Sequence, residues 1–324
     1  MLSKKDERKL KRIPNTENIF VKENFEKRYK DLLGEDYENF MGCSLSFLTK
    51  SIRVNTLKIS TEEIVKRLSP KWILTPIPWC KEGFWIEGER RDVGNLPEHV
   101  LGFIYIQESA SMIPPIVLDV KEGDKVLDLC AAPGSKSTQI AQYLNNTGAL
   151  LCNDFLGNRL KSLGMNLQRC GASNVVVTQA KGHRFKNVGI EFDKILVDAP
   201  CSGTGTIRKS LKTLKMWNPN MVKRLCAVQR ELLTTAFGLL KEGGTIVYST
   251  CTLEPEEDEG VISDFLNSND NAKIQEIKFE GKRSPAVTEF EGKKFNKEVS
   301  KCLRLWPHDN NTEGFFVAKI IKIR

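Results

Sequence analysis

Two cysteines and an aspartate stand where apolar runs end. In FDKILVDAPCSGTG the run Ile195, Leu196, Val197 leads to Asp198 and then Cys201, with Pro200 and Gly203 shaping a rigid turn. In TIVYSTCTLEPEEDE a second such run presents Cys251. Both stretches read as buried strands, so the two thiols and the acid are expected on one rim. A helix is expected to start after Cys251 with Pro255 in its first turn, where the N-terminal dipole would stabilise a thiolate.

Two thiols beside an acid suit one covalent sequence. Carbon 5 of a pyrimidine is a poor nucleophile until a thiolate adds to carbon 6 and makes an enamine able to attack an electrophilic methyl group. An acid near the ring favours the addition, and a second group assists loss of the carbon 5 proton before the first thiol leaves. Asp198, Cys201 and Cys251 fill those posts. VLDLCAAPGSKST, residues 126–138, adds a ligand site. Its apolar start runs into the turn Cys130, Ala131, Ala132, Pro133, Gly134, Ser135 and Lys136, and an amphipathic run follows. Strand, turn and helix of this kind bring backbone N–H groups to a nucleotide-like ligand at the carboxyl end of a parallel strand. Asp154, ending the next strand, either accepts hydrogen bonds from ribose hydroxyls or caps the following helix. Arg159 either pairs with Asp154 or meets a ligand carboxylate.

The elements that must position these residues follow a strand–helix period. Strands are expected at 125–129, 149–153, 175–179, 194–198, 245–249 and 314–320, and the clearest helix, Asn220 to Leu240, is expected to stop at Gly243 and Gly244. That alternation makes an α/β, doubly wound, mostly parallel Rossmann-like sheet over residues 113–324. Residues 1–112 read as a smaller helical plus α+β, RNA-binding domain. Its helices break near Gly34, its strands lie in 51–58, 71–79 and 83–88, and one helix is capped by Ser60 or Thr61. Lys282 to Lys297 reads as an exposed loop or hairpin.

Composition narrows the partners. The 324 residues carry 49 Lys and Arg against 41 Asp and Glu, a net charge of +8 that favours a polyanion. Nine cysteines with no CxxC pair suggest no metal site, and they suit a reducing, cytoplasmic setting. No apolar run is long enough to span a bilayer, and a monomer is expected. Residues 1–16 form a charged tail, either solvated or touching RNA. Between Asp198 and Glu231 there is no acid, yet Arg208, Lys209, Lys212, Lys215, Lys223 and Arg224 occur there with Met216 and Trp217. This segment is either a solvated loop or a phosphate-contacting flank of the site in which Trp217 stacks on a base. His308 is a further RNA candidate.

PGSKST, DAPCSGTG, YSTCTLEPEEDE and LWPHDNNTEGFFVAKI, preceded by IRVNTL and IQESASMIPP, resemble the Nop/Sun-type RNA cytosine-5 methyltransferases. The likeness spans roughly residues 50–324. It implies S-adenosylmethionine as cofactor, Cys251 as nucleophile, Cys201 in product release, and Lys136 with Asp198 lining the base pocket. Three departures stand out. Ser135 replaces a Gly, which is tolerated if its φ is negative. Lys181 stands where the family commonly has an adenine-binding Asp, implying weaker cofactor binding. Asp258 replaces an Asn, with a mild effect expected. Compact length favours tRNA as substrate; rRNA is the alternative, and a catalytically silent RNA-binding protein is the third reading.

Overall fold

A computed structural model describes residues 10–88 and 92–324. Most of the basic tail therefore lies outside the described residues. The chain opens with α1 (Glu23–Leu33) and α2 (Tyr37–Ser44), joined by a short 3-10 turn that begins at Gly34. Next come β1 (Ser51–Val54), α3 (Thr61–Leu68), β2 (Ile73–Ile77), β3 (Cys80–Glu87), α4 (Pro97–Val100) and β4 (Ile104–Ile106). The four strands form an antiparallel sheet in the order β2-β3-β1-β4. Ser60 is the cap of α3, its hydroxyl accepting from the Glu63 N–H at 3.2 Å.

After α5 (Ile113–Leu118) the alternation begins: β5 (Lys125–Asp128), α6 (Ser135–Tyr143), β6 (Ala149–Asp154), α7 (Gly157–Cys170), β7 (Val175–Gln179) and β8 (Phe192–Asp198). It continues through α8 (Lys212–Met216), α9 (Pro219–Gly238), β9 (Leu240–Thr250), α10 (Glu259–Leu266) and β10 (Ala272–Gln275). The end comprises the small hairpin β11 (Glu289–Phe290) and β12 (Lys293–Lys294), then β13 (Leu303–Leu305), α11 (Pro307–Asn310) and β14 (Phe315–Lys322). The large sheet runs β10-β14-β9-β8-β5-β6-β7, with β13 paired to β14. From β9 to β7 the strands are parallel; β14 runs antiparallel to β9, and β10 and β13 each pair antiparallel with β14. Its central strands are covered on both faces, which is why Val126, Leu127, Ile195, Leu196 and Val197 form unbroken apolar runs and are fully buried.

Strand order reverses between β5 and β8. The loops leaving these two strands diverge there and open a crevice at the carboxyl ends, where doubly wound sheets bind ligands. The turn at 129–134 and the Asp198–Gly203 turn face each other across it.

Two expectations are corrected. Helix α9 starts with Asn218 as its cap, accepting from the Met221 N–H, and Pro219 behind it. It ends at Gly238, not at Gly243 and Gly244, because the ladder with β8 takes over the backbone: the Phe192 N–H donates to the Leu239 carbonyl. Gly243, at φ +74°, makes its bend within β9. Nor does a helix begin at Pro255. Residues 255–258 are turns and α10 starts at Glu259, too far from Cys251 for its dipole to act within the first helical turn.

The small sheet and the large one are tied through α6 and α7. Arg53, fully buried on β1, donates to Thr138 Oγ1 at 2.9 Å and to Gln142 Oε1 at 3.1 Å. Asn55 donates to the carbonyls of Gly102 and Cys170, and Lys58 to those of Leu101 and Arg169, so the free carbonyls at the end of α7 are satisfied from the other sheet. Gly102 sits at φ +74° with the Arg169 carbonyl 1.9 Å from where a Cβ would be. Gly102→Ala should therefore lower the unfolding free energy by about 1–3 kcal/mol, the scale of overpacking plus a strained backbone, measured by urea titration. An unchanged midpoint would mean that this junction is loose.

Candidate active site

Cys201 Sγ and Cys251 Sγ lie 3.3 Å apart. Three observations explain how two turns from different strands bring them together. β8 and β9 are in parallel register, with Asp198 opposite Ser249. The Gly205 N–H donates to the Cys251 carbonyl, and a Cβ on Gly205 would lie 2.2 Å from the Gly314 carbonyl, so only glycine admits this approach. A hydroxyl chain, Ser202 Oγ to Thr252 Oγ1 at 2.6 Å and Thr252 to Thr204 Oγ1 at 2.9 Å, then laces the turns.

Under this lacing lie buried acids that the sequence reading took only for a helix start. Glu257 accepts from the Ser202 N–H at 3.0 Å and from Gln229 Nε2 at 2.8 Å. Glu254 accepts from Tyr29 and from Trp217 Nε1, both at 2.8 Å, and pairs with Arg28. Asp258 and Glu259 share the fully buried Arg304, which approaches them at 3.0 and 2.5 Å. Asp258 also accepts from Thr250 at 2.6 Å, so this position meets a guanidinium and a hydroxyl at once.

Asp198 is fixed through both oxygens. Lys136 Nζ donates to Oδ2 at 2.7 Å and Ser249 to Oδ1 at 2.8 Å. Burial alone would lower the Lys136 pKa, but Asp198 outweighs it and the net shift is upward, so the ammonium persists. Lys136 also lies 5.4 Å from the Phe315 ring centre. The Cys201 thiol is held well above the ordinary cysteine range by its hydrogen bond with Cys251 and by burial, and so keeps its proton at neutral pH. Burial pushes Asp128 up to about 7; one of its oxygens accepts from Ser137 and the other is buried without a partner.

The 130–136 turn has the form expected for a small ligand. Gly134 takes φ +105° just before α6, and Ser135 has no positive φ, so its replacement of glycine is tolerated as expected. Asp154 accepts from the Ala132 N–H at 3.2 Å and the Leu156 N–H at 3.0 Å, and pairs with Arg159 at 3.3 Å. Arg159 in turn donates to the Ala132 carbonyl, and Asn166 to that of Pro133. Asp154 is thus a brace of the turn; it does not cap α7, whose cap position is Leu156 with no side-chain hydrogen bond. Phe155 and Leu156, exposed beside it, offer an apolar wall, and Lys181 lies over the Phe155 ring at 5.6 Å. Cys130 is partly exposed at the start of the turn.

Residues 115–321 match the sequence profile of the 16S rRNA methyltransferase RsmB/F family, and residues 21–109 that of the N-terminal domain of 16S rRNA methyltransferase RsmF. The chain belongs to the RsmB/F family of RNA methyltransferases. It is 44% identical over 309 residues to a tRNA (cytosine(49)-C(5))-methyltransferase of Pyrococcus abyssi, covering 94% of this chain and 99% of that one. Ribosomal RNA small subunit methyltransferase F of Erwinia tasmaniensis is 40% identical over 95% of this chain but only 65% of its own length. A methyltransferase homolog from Pyrococcus horikoshii superposes with a TM-score of 0.83 at 38% identity, covering 92% of this chain and 94% of its own. NSun6 from the same organism, solved with SFG, gives 0.83 at 25% identity, covering 94% and 98%. The family's fold is therefore the doubly wound one expected.

Within this RsmB/F-type site the structure brings together Cys201, Cys251, Asp198 and Lys136, and beside them the 130–136 turn with Asp154 and Arg159. It corrects two RNA candidates. Trp217 is 2% exposed, its ring edge against Phe25 and its N–H on Glu254, because an indole offered a buried carboxylate packs inward. Arg208 is buried and donates to the carbonyls of Ser46, Phe47 and Thr312, bracing the chain between α2 and β14. Lys209, Lys212 and Lys215 remain exposed. His308 is half-buried against Phe40 and lines a groove of about 1010 Å³ between α1 and the 282–292 loop. Among the described residues no group of His, Cys, Asp and Glu is placed to hold a metal, and no helix is long and apolar enough to cross a membrane.

Burial pushes Glu257 from its ordinary 4.5 up to about 7. The folded state holds this proton more tightly than the unfolded one, so its contribution to stability is complete at acid pH and is lost as pH rises toward 7. Glu257→Gln, which keeps the acceptor for Ser202, should flatten the fall in unfolding free energy between about pH 5 and 7.5. An unaltered slope in urea titrations at the two pH values would show that Glu257 folds already ionised.

Proposed function

We propose that the protein methylates carbon 5 of cytosine in RNA, with tRNA as the substrate and S-adenosylmethionine as the methyl donor. The observation that carries this reading is the 3.3 Å contact between Cys201 and Cys251 beside the Lys136–Asp198 pair. A single thiol would suffice for addition, whereas a second at contact distance serves release. The nine free cysteines support a cytoplasmic, reducing setting.

Cys251 Sγ bonds to carbon 6 of the flipped cytosine, and the carbon 5–carbon 6 π electrons move toward the ring nitrogen. Asp198, oriented by Lys136 and Ser249, holds that edge of the base, and the ring nitrogen takes up the proton that the Cys251 thiol gives up. Bound S-adenosylmethionine supplies the electrophilic methyl group. After transfer the carbon 5 proton is removed, the ring double bond re-forms and the bond to Cys251 breaks. Cys201 gives its proton to the leaving Cys251 thiolate, the Cys201 thiolate so formed takes up the proton released from carbon 5, and the ring nitrogen returns its proton to solvent.

The residues fit such a cofactor. The glycine-shaped turn before α6, the orphaned oxygen of Asp128, the carboxylate of Asp154 and the apolar pair Phe155 and Leu156 together form a cradle for a nucleoside carrying a charged tail. Lys181, next to Phe155, brings a cation where an adenine amine would be read, which favours modest affinity. tRNA is preferred over rRNA because the tRNA-modifying relative shares 44% identity with this chain over 99% of its own length.

Asp154→Ala should weaken S-adenosylmethionine binding by about 1–3 kcal/mol, the scale of losing charge-assisted hydrogen bonds together with the brace of the turn. Calorimetry with unchanged affinity would leave Asp154 only its bracing of the turn. The mechanism itself is tested by the two thiols. Cys201→Ala should add to the base and accept the methyl group without release, accumulating a denaturant-resistant protein–RNA complex on a gel; Cys251→Ala and the double variant should give none. An adduct formed only by Cys251→Ala would reverse the assignment.

A further inference from the structure

From Phe155 to Ile190 the chain contains Arg159, Lys161, Arg169, Lys181, Arg184 and Lys186, and no acid at all. The stretch comprises α7, the edge strand β7 and the 3-10 turn at 182–187. Arg159 is engaged with Asp154, and Arg169 with the His99 carbonyl and Asn166. The other four are exposed, and none has an acidic partner among the described residues. Elsewhere many exposed cations are matched, as in Lys30–Glu26, Arg67–Glu63, Arg230–Asp264 and Lys301–Glu298. This edge of the sheet thus gathers four exposed cations with no acid among the described residues to match them.

Its location matters as much as its sign. α7 packs with α6 on one face of the sheet, and the 182–187 turn packs with α9 on the other, so the cations flank β7 from both sides. Lys181 leaves the carboxyl end of β7, on the same rim as Asp154 and Asp198. The strand between them exposes Val176 and Val177 and carries no charge of its own. An unpaired strand alone would suit another protein's strand; a ring of unneutralised cations around it selects a polyanion.

We propose that this edge is a second RNA-contact surface, holding phosphates of the substrate's body away from the cytosine at Cys251. The proposal rests on the RNA reading above and adds to it where the RNA lies. The other basic segment, with Lys209, Lys212 and Lys215, follows β8 and flanks the thiols. RNA that engages both must extend beyond the target nucleotide, so an extended, folded RNA gains from the edge and a short oligonucleotide does not.

The test is the triple variant Lys161→Glu, Arg184→Glu, Lys186→Glu in the full chain, which leaves the cofactor cradle intact. For unfractionated tRNA its Kd should rise about tenfold or more at moderate salt, and the log–log salt dependence should flatten by about 2–3, one unit or slightly less per lost phosphate contact. For a cytosine-containing octanucleotide both quantities should stay near wild type. Unchanged tRNA binding overturns the proposal and points to an acidic protein at this edge instead. Equal losses for tRNA and octanucleotide also overturn it, since the charges would then act through the general field. The corresponding glutamine substitutions give the same comparison if the charge-reversed chain fails to fold. Wild-type protein that binds tRNA through this edge yet methylates none would instead refute the methyltransferase reading.

Discussion

The active-site turn after Cys251 depends on burying four carboxylates within six residues. Glu254, Glu257, Asp258 and Glu259 are all fully buried, and an isolated carboxylate in such a place would be too costly to keep ionised. Each is answered from a different part of the chain: Glu254 from α1 and Trp217, Glu257 from the Asp198–Gly203 turn and α9, Asp258 and Glu259 from Arg304 on β13. Because removing any one partner leaves a buried carboxyl oxygen without its hydrogen bond or ion pair, the turn has one conformation in which all four are satisfied.

That conformation is what sets the thiols in contact. Cys251 precedes the buried acids, and Cys201 directly precedes Ser202, whose N–H answers Glu257. Neither turn can move without breaking a buried hydrogen bond, so the separation of the sulfurs follows from the electrostatics beneath them. The same network reaches α1: Tyr29 and Arg28 answer Glu254, and Phe25, Tyr29 and Phe40 stack into one cluster with Trp217 and Trp306. The N-terminal helices are therefore packed on the catalytic sheet's side of the molecule and share its core.

Much of the fold was legible in the sequence because a parallel sheet buried on both faces needs unbroken apolar strands. Such runs at 125–129 and 194–198 can hardly form anything else. The juxtaposition of the candidate residues was legible for a related reason: Asp198 and Cys201 end the run at 194–198, Cys251 follows the run at 245–249, and the ends of neighbouring parallel strands share a rim. The supporting residues were not. Trp217 and Arg208 lie in an acid-free segment, where local pattern reports charge but not which side chain finds a buried acceptor far away in sequence. Glu254 and Glu257 look like a solvated helix start until Arg28, Gln229 and Ser202 arrive from distant elements. The end of α9 was misplaced because Leu239 and Leu240 fit the helical period as well as the strand; ladder pairing with Phe192 decided between them.

The small N-terminal sheet bears directly on the 130–136 turn. Arg53 is a fully buried guanidinium with neutral acceptors in place of a carboxylate, an arrangement that persists only where geometry repays it. Its acceptor Thr138 donates onward to the Ser135 carbonyl, in the first turn of α6. Asn55 and Lys58 hold the far end of α7, while Arg159, Leu163 and Asn166 on that helix brace Ala132, Gly134 and Pro133. Both helices that shape the 130–136 turn are thus fixed from the same strand segment, 53–58. A tilt of the small sheet would be carried to the turn through both helices, and Lys136, which begins at that turn and ends on Asp198, carries it on to the strand that leads to Cys201.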